Sequence, residues 1–259
     1  MYNDWLTIGP ITIHGYGVMI ALGILAAYFV GERQAKKHGM SPDIVDTLIL
    51  VVLIAGFLGS KITYCLTNFG DFLKNPMAYL GADGWVVYGG IIGAFIGSYI
   101  YCKIRKIDFF AYMNLLLPVA ALAQGFGRIG CFFAGCCYGK PTDGLGVIFP
   151  SGSLAPSGVR LIPTQLISSF GDFLLFFILI RNYNEGEYPE TTGAWYLILY
   201  SVGRFMVEFL RGDEARGMIM GLSTSQFIAI FMFAAGLALL WYSRNRGKAQ
   251  KAAPEEKLV

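Results

Sequence analysis

The sequence predicts an all-α, polytopic membrane protein with about seven transmembrane helices, its N-terminus outside and its C-terminus inside. Hydrophobic residues make up 55% of the 259 residues and charged residues only 14%, whereas soluble domains carry about 25% charged residues. The mean hydropathy is +0.55, and apolar stretches recur along nearly the whole chain with short polar gaps. A chain of this composition belongs in a lipid bilayer, where helices satisfy their own backbone hydrogen bonds.

Seven apolar runs come close to the length of about 20 residues that a helix needs to cross a bilayer. They cover residues 12–31, 44–66, 86–102, 109–127, 163–181, 193–210 and 223–242. The third run is short, and the fourth continues directly into a stretch rich in glycine and cysteine. We therefore predict a single transmembrane domain over residues 1–243, followed by a basic cytoplasmic tail over residues 244–259.

The basic residues predict the orientation, because short cytoplasmic loops are enriched in Lys and Arg. They follow the first, third, fifth and seventh runs, which places the end of every odd-numbered helix inside. These residues are Arg33, Lys36, Lys37, Lys103, Arg105, Lys106, Arg181, Arg244, Arg246, Lys248, Lys251 and Lys257. The net charge of +3 thus reports topology, and we predict the lipid bilayer as a partner and no nucleic acid.

Two of the segments predicted to lie outside have a distinct composition. Residues 67–85 carry several turn-forming Asn, Gly and Pro residues, and we predict that they lie along the membrane interface. Residues 140–161 contain seven Gly and Pro residues, which is too broken a pattern for a helix. They predict a mobile external loop that is long enough to cover a site.

Two arginines, Arg128 and Arg204, lie within or at the end of apolar runs. A central arginine costs about 2.5 to 3.5 kcal/mol on insertion scales, so it normally faces protein or a water-filled cavity and has a partner. Glu208 is the predicted partner of Arg204, because residues four apart are neighbours on a helix. We therefore predict that these arginines mark a functional site in the outer half of the membrane.

Tyr200, Arg204, Glu208 and Arg211 are spaced to form a polar stripe along one face of one helix. In one interpretation, Arg204 and Glu208 only neutralise each other while Arg211 reaches the interface. In the other, the arginines bind an anion. A lipid phosphate is the natural candidate, because guanidinium groups bind phosphate oxygens bidentately and always carry their charge.

Glycine is concentrated in two places that could approach a ligand closely. Residues 125–139 contain five glycines around Arg128 and predict a flexible, anion-binding turn. Tyr88-Gly89-Gly90 opens the third apolar run, and Gly93 and Gly97 follow it. In both places close packing between helices is the alternative, and it stays open here.

Three cysteines, Cys131, Cys136 and Cys137, raise the question of a metal site. They lack a second CxxC pair and a nearby histidine, so their spacing argues against zinc, and we predict no metal and no cofactor. A disulfide is permitted in an oxidising compartment. A bond between Cys131 and one neighbour is favoured over a strained Cys136–Cys137 bond, and the redox state stays open.

Five ordered motifs resemble those of a known family. They are Ile13-His14-Gly15-Tyr16-Gly17, Tyr88-Gly89-Gly90, Gly127-Arg128-Ile129-Gly130 through Gly139, Pro163-Thr164-Gln165-Leu166 and the stretch from Tyr200 to Arg211. Over most of its length the chain resembles the bacterial prolipoprotein diacylglyceryl transferases. The resemblance implies transfer of the diacylglyceryl group of phosphatidylglycerol to the lipobox cysteine of prolipoproteins, with release of glycerol phosphate, at the outer leaflet of the bacterial inner membrane.

The resemblance also implies roles for individual residues. It implies catalytic roles for Arg128, Arg204 and Tyr88. It implies that the substrates, phosphatidylglycerol and the prolipoprotein signal peptide, contact Tyr16, Gly89, Gly90, Gly127, Gly139, Gln165, Tyr200, Glu208 and Arg211.

Several positions depart from the family pattern. Tyr88 stands where the family has His, Cys131 and Ala134 where it has Asn, Cys136 where it has Glu, and Ile167 and Ser168 where it has Tyr and Glu. The arginines of the family pattern are present, so the part of the site that binds the lipid phosphate is kept. Two alternatives follow from these changes: a paralogue that uses phospholipid with another acceptor, and a lipid or anion transporter. A transporter is expected to show an internal repeat, and none is evident.

Overall fold

The computed structural model describes residues 3–9, 11–81, 84–186, 189–213 and 217–252. Its elements, in chain order, are β1 (Asp4–Ile8), β2 (Ile11–His14), α1 (Gly15–Lys37), α2 (Pro42–Thr67), α3 (Phe69–Lys74), α4 (Pro76–Gly81), α5 (Val87–Arg105), α6 (Phe109–Ala134), β3 (Val147–Ile148), β4 (Arg160–Leu161), α7 (Thr164–Glu185), a 3₁₀ turn (Pro189–Thr191), α8 (Thr192–Glu208), β5 (Met218–Ile219), β6 (Leu222–Ser223) and α9 (Thr224–Ala252). Helices dominate, and the strands form three two-stranded sheets. The predicted all-α class is confirmed.

Within the described residues, six helices are long and apolar enough to cross a membrane, which confirms a multi-pass membrane protein. They are α1, α2, α5, α6, α7 and the Thr224–Asn245 part of α9. The other predicted span, residues 193–210, corresponds to α8, which has 17 residues and so lies at the lower limit of about 17–25 residues for a transmembrane helix. The orientation of the termini stays a prediction.

The N-terminal boundary differs from the predicted one. The first span was predicted to begin at residue 12, but residues 11–14 form β2 and pair antiparallel with β1, so that Thr7 lies opposite Thr12. The helix therefore begins at Gly15 and continues to Lys37. Ile11 and Ile13 in the strand made it look continuous with the apolar helix that follows.

The chain divides into two compact units. One comprises Met1–Val30 and Met113–Val259, and the other comprises Gly31–Tyr112. The predicted single domain over residues 1–243 stays a prediction, as does the cytoplasmic tail, of which residues 253–259 lie outside the described residues.

In the Gly31–Tyr112 unit, glycines bring α2 and α5 together. A Cβ added to Gly93 would lie 3.0 Å from the Gly59 Cα, and one added to Gly97 would lie 2.6 Å from the Ala55 Cβ. These separations leave no room for larger side chains, so the glycines form a packing ridge. Residues 67–85, predicted to lie along the interface, include the short helices α3 and α4, which have no buried residues.

In the larger unit, α6, α7 and α8 share a core made of Ala121, Leu175, Phe176, Leu179 and Tyr196. Polar bonds tie the helices together within it. The Gly193 N–H donates to the Asn114 side-chain oxygen at 2.7 Å, and the Ser169 hydroxyl donates to the Gly125 carbonyl at 2.9 Å. Bonds of this kind replace the water that a bilayer lacks.

The predicted external loop, residues 140–161, is irregular, as predicted, but it has a small core of its own. Phe149 and Leu161 are 2% and 1% exposed and pack with Phe132 and Ala155. Strands β3 and β4 pair, with Val147 opposite Leu161. The loop is thereby anchored at the end of α6.

The glycine-rich stretch after residue 125 is mostly helix, which corrects the prediction of a turn there. Helix α6 continues to Ala134 and so includes both Arg128 and Cys131. A Cβ added to Gly125 would lie 2.5 Å from the Phe173 ring, and one added to Gly130 would lie 3.1 Å from the Tyr16 ring. These two glycines accommodate neighbouring aromatic rings, and the true turn begins at Gly135, whose φ is +75°.

Candidate functional site

A cavity of about 290 Å³ lies among α6, α7 and α8. Most of its lining is apolar, and the two predicted arginines both reach it. The lining residues are Arg128, Ile167, Ser168, Gly171, Asp172, Leu174, Leu175, Ile178, Leu199, Tyr200, Val202, Gly203, Arg204 and Val207. The cavity thus combines a few polar groups with a long apolar wall, which suits a ligand with a charged head and a hydrocarbon chain.

Asp172 on α7 is the acidic partner of Arg128. The Arg128 Nε lies 3.9 Å from the Asp172 Oδ2, and the carboxylate side chain is only 9% exposed. This distance is too long for a hydrogen bond, and Oδ2 has no hydrogen-bond partner among the described residues. The pair is therefore an electrostatic contact that leaves the Arg128 donors available to a ligand.

Arg204 is held more tightly, by two elements. Its Nη1 lies 2.5 Å from the Glu208 Oε2, which confirms the predicted ion pair within α8. Its Nη2 donates to the Ser225 hydroxyl at the start of α9, at 2.7 Å. A guanidinium group has five N–H donors, so these two contacts orient Arg204 and leave part of it to face the cavity.

Arg211 does not belong to the polar stripe, which corrects the sequence prediction. Helix α8 ends at Glu208, so residue 211 no longer follows the helical spacing. Its side chain instead forms two bonds to Asp213, from Nε at 2.8 Å and from Nη2 at 2.5 Å, and it interacts with Cys137. Only 6% of its side chain is exposed.

Two tyrosines from the predicted set lie close to the arginines. Tyr200 lines the cavity and stacks on Tyr196, with ring centroids 5.6 Å apart and planes 2° apart. The Tyr196 hydroxyl donates to the Gln124 side chain on α6 at 3.0 Å. Tyr16 begins α1, packs against Gly130 and lies within electrostatic range of Arg128.

The three clustered cysteines form a feature that we call the cysteine turn, residues 131–137. The Sγ atoms of Cys131, Cys136 and Cys137 all lie within 4.8 Å of one another, and all three are free thiols in the structure. Hydrogen bonds from the Cys131 and Cys136 thiols, with the charge of Arg211, hold the pKa of Cys137 well below its usual range. Bonds with Cys131 and Cys137 raise the pKa of Cys136.

Buried side chains of α7 hold the cysteine turn in place. The Gln165 Nε2 donates to the Cys136 carbonyl and the Thr164 hydroxyl to the Cys137 carbonyl, each at 2.7 Å. The Gln165 Oε1 is buried and has no partner among the described residues. Gln165 therefore supports the turn, and its predicted contact with substrate stays a prediction.

The remaining predicted residues occupy different surroundings. Gly139 lets two backbones meet, because a Cβ there would lie 2.6 Å from the Ile162 carbonyl oxygen. Gly127 faces open space, with no atom within 4 Å of an added Cβ.

Tyr88, Gly89 and Gly90 lie near the start of α5, in the Gly31–Tyr112 unit. Tyr88 is 42% exposed. A Cβ added to Gly90 would lie 3.1 Å from the Gly56 carbonyl oxygen. Gly89 also packs against α2.

Sequence reasoning missed Asp172 and Ser225. Asp172 could have been found, because a single carboxylate stands among the apolar residues of the fifth predicted span, and an ionisable residue inside a membrane normally marks a functional site. Ser225 gives no such signal. Only the packing of α9 against α8 brings its hydroxyl to Arg204.

The comparisons with known proteins agree on one family. A family model described as "Prolipoprotein diacylglyceryl transferase" matches residues 4–242. A phosphatidylglycerol–prolipoprotein diacylglyceryl transferase of Clostridium tetani is 46% identical over 90% of this chain and 94% of its own length. One of Clostridium perfringens, numbered 2, is 41% identical over 94% and 95%. One of Staphylococcus haemolyticus is 32% identical over 92% and 86%.

Proposed function

This chain belongs to the prolipoprotein diacylglyceryl transferase family, and from that premise we propose how its arginine-lined cavity serves the reaction. The chain is an enzyme that transfers the diacylglyceryl group of phosphatidylglycerol to prolipoproteins. The acceptor atom is the sulfur of the lipobox cysteine in the prolipoprotein signal peptide. The reaction takes place at the outer leaflet of the bacterial inner membrane.

One observation carries the proposal: two arginines line a single cavity whose other walls are mostly apolar. Phosphatidylglycerol likewise combines a charged part, its phosphate, with an apolar part, its two hydrocarbon chains. The arginines bind the phosphate, and the apolar walls, among them Leu174 and Ile178, contact the acyl chains. Because most of the cavity lining is apolar, the attraction between guanidinium and phosphate is stronger there than it is in water.

The chemical step exchanges one bond for another. The acceptor sulfur, as a thiolate, attacks the glyceryl carbon that carries the phosphate ester. A carbon–sulfur bond forms, the carbon–oxygen bond breaks, and its electron pair leaves with the phosphate oxygen as glycerol phosphate. Negative charge grows on that oxygen in the transition state, and Arg128 and Arg204 stabilise it there.

The neighbours of the arginines have positioning roles. Glu208 and Ser225 orient Arg204, and Asp172 holds Arg128 loosely enough that its guanidinium can turn toward the phosphate. Tyr200 donates a hydrogen bond to a lipid oxygen from the cavity wall, and Tyr16 does so from the start of α1. We also propose for Tyr88 the catalytic role, and for Gly89 and Gly90 the substrate contacts, that the family resemblance implies.

Filling the cavity tests this assignment of the lipid site. Gly203 lines the cavity, and an added Cβ would meet no atom within 4 Å, so Gly203→Leu adds a side chain to the cavity wall from a position with room for its Cβ. We expect the KM for phosphatidylglycerol to rise and kcat/KM to fall about tenfold or more, because hydrophobic pockets discriminate single methylene groups by about 10–200-fold. Transfer from radiolabelled lipid to a lipobox peptide measures both constants.

Ala234→Leu is the matched control, since it adds the same side chain on an exposed face of α9. It should leave both constants unchanged. Wild-type kinetics in Gly203→Leu would show that the lipid binds elsewhere.

A further inference from the structure

The cysteine turn brings three thiols together in a way that the sequence spacing conceals. Cys131 lies in the last turn of α6, and Cys136 and Cys137 follow after a left-handed Gly135. Their Sγ atoms lie within 4.8 Å of one another, and each residue is half-buried. The sequence spacing argued against zinc, because a second CxxC pair and a nearby histidine are absent. In the structure, however, the end of α6 and the tight turn after it bring three thiols close together, which is the number of protein ligands in a catalytic zinc site.

The turn holds this geometry against its own backbone preferences. Cys137 has a φ of +60°, a conformation that is unfavourable for any residue with a Cβ. The buried Thr164 and Gln165 side chains hold the carbonyls of Cys137 and Cys136. The Gly212 N–H donates to the Tyr138 carbonyl at 3.1 Å on the other side. Strained backbone that is fixed from several sides is typical of functional positions.

The thiol cluster has the geometry and charge that a thiophilic cation needs. With a Zn–S distance of about 2.3 Å, sulfurs in a tetrahedral site lie about 3.8 Å apart, so the three Sγ atoms need to move by no more than about 1 Å. Three thiolates and one divalent cation carry a single negative charge. Arg211 interacts with Cys137 and Arg128 with Cys131 and Cys137, and both offset that charge.

We propose that Cys131, Cys136 and Cys137 bind one thiophilic divalent cation of the zinc class, and that its open fourth position takes the acceptor thiol. This inference rests on the proposed function. Three protein ligands with an open position are the pattern of catalytic zinc sites, and a thiol that coordinates such a cation loses its proton outright. The thiolate is the nucleophilic form of sulfur, which the transfer reaction requires.

The position of the cluster fits this role. Cys131 follows Arg128 by three residues on α6, so the two share one face of the helix, and Arg128 lines the lipid cavity. In the proposed step the acceptor S–H proton passes to water as the sulfur binds the cation. The sulfur then attacks the glyceryl carbon, the C–S bond forms, and the C–O electron pair leaves with glycerol phosphate. The cation is neither oxidised nor reduced.

Co²⁺ is the probe, because its absorption reports both thiolate ligation and coordination number. We would strip the full-length, detergent-solubilised protein of metal under reducing conditions, titrate it with Co²⁺, and then add a lipobox peptide. We expect one Co²⁺ per chain with thiolate-to-cobalt charge-transfer bands, and a change in the visible bands when the peptide is added. A peptide with Ser in place of its Cys should cause no change.

Cysteine variants separate the site from general thiol binding. Cys136→Ser and Cys137→Ser should each reduce Co²⁺ affinity at least tenfold, while Cys65→Ser and Cys102→Ser, at buried positions in α2 and α5, should bind as the wild type does. Circular dichroism checks that each variant is folded.

The inference is overturned if the folded wild type binds no stoichiometric Co²⁺, or if the cysteine peptide leaves the visible bands unchanged. It is overturned equally if metal-stripped protein transfers lipid at the full rate, a result that would leave the proposed function intact. Metal-loaded protein that binds the peptide sulfur but makes no thioether would instead contradict the proposed function.

Discussion

Replacing Arg204 by alanine is expected to reduce diacylglyceryl transfer by a factor of about 10² to 10³, the usual loss when one preorganised donor to a developing oxyanion is removed. Glu208 and Ser225 hold the Arg204 guanidinium in place, so it faces the lipid phosphate without having to reorganise in the transition state. Single-turnover rates with labelled phosphatidylglycerol and a lipobox peptide measure the effect on the chemical step.

The alanine variant has a second effect that must be separated from the first. It leaves the Glu208 carboxylate, which is 7% exposed, without its cation, and breaking a buried ion pair costs about 3–5 kcal/mol of stability. The double variant Arg204→Met/Glu208→Gln removes both charges at similar volume and should fold while remaining inactive. Ser225→Ala keeps the ion pair and should lose about 1 kcal/mol of stability and little activity. Full turnover by the folded double variant would refute the role of Arg204.

Replacing Arg128 by glutamine should cause a loss of similar size, about 10² to 10³ in kcat/KM. Arg128 makes no hydrogen bond within the described residues, and its ion-pair contact with Asp172 is 3.9 Å long, so its N–H donors can bind a lipid phosphate. Arg128→Lys keeps the charge but loses the bidentate fork, and we expect it to recover only part of the activity. Steady-state kinetics across lipid concentrations measure all three forms.

Arg181→Gln is the matched control for Arg128→Gln. Arg181 is on α7, is 81% exposed and pairs with Glu185, so its replacement should leave kcat/KM unchanged. The competing explanation is that Arg128 serves only to neutralise Asp172. In that case the double variant Arg128→Gln/Asp172→Asn would regain wild-type activity, whereas phosphate binding by Arg128 predicts that it stays inactive.

The sequence predicted the helices well because bilayers impose a simple rule on them. A long apolar run in a bilayer forms a helix because no water is present to bind its backbone, and α2, α5 and α7 agree with the predicted runs within four residues. Helix α9 begins within one residue of its predicted start but continues to Ala252. The predictions were wrong for the start of the first helix and for the glycine-rich stretch, where strand pairing and helix packing decide the structure. Residues 11–14 pair with β1 as a strand, and Gly125 and Gly130 of α6 make room for the Phe173 and Tyr16 rings.

The candidate site was predictable only in part, for physical reasons. Helical spacing brought Arg204 and Glu208 together correctly, because neighbours on one helix need no tertiary structure. Asp172 meets Arg128 from another helix, which no spacing rule describes. The cysteine turn depends on positive φ values at Gly135 and Cys137 and on bonds from α7. Arg211 does not lie on the predicted polar stripe, because α8 ends at Glu208, before it.

The measurement that tests the central claim most directly is a reaction with the purified protein. Labelled phosphatidylglycerol and a lipobox peptide are incubated with the wild type, Arg128→Gln and the Arg204→Met/Glu208→Gln variant, and the peptide is analysed by mass spectrometry. We predict a thioether-linked diacylglyceryl peptide and an equal amount of glycerol phosphate with the wild type alone. A wild type that binds the lipid but makes no thioether, or arginine variants that make it at the wild-type rate, would contradict the account.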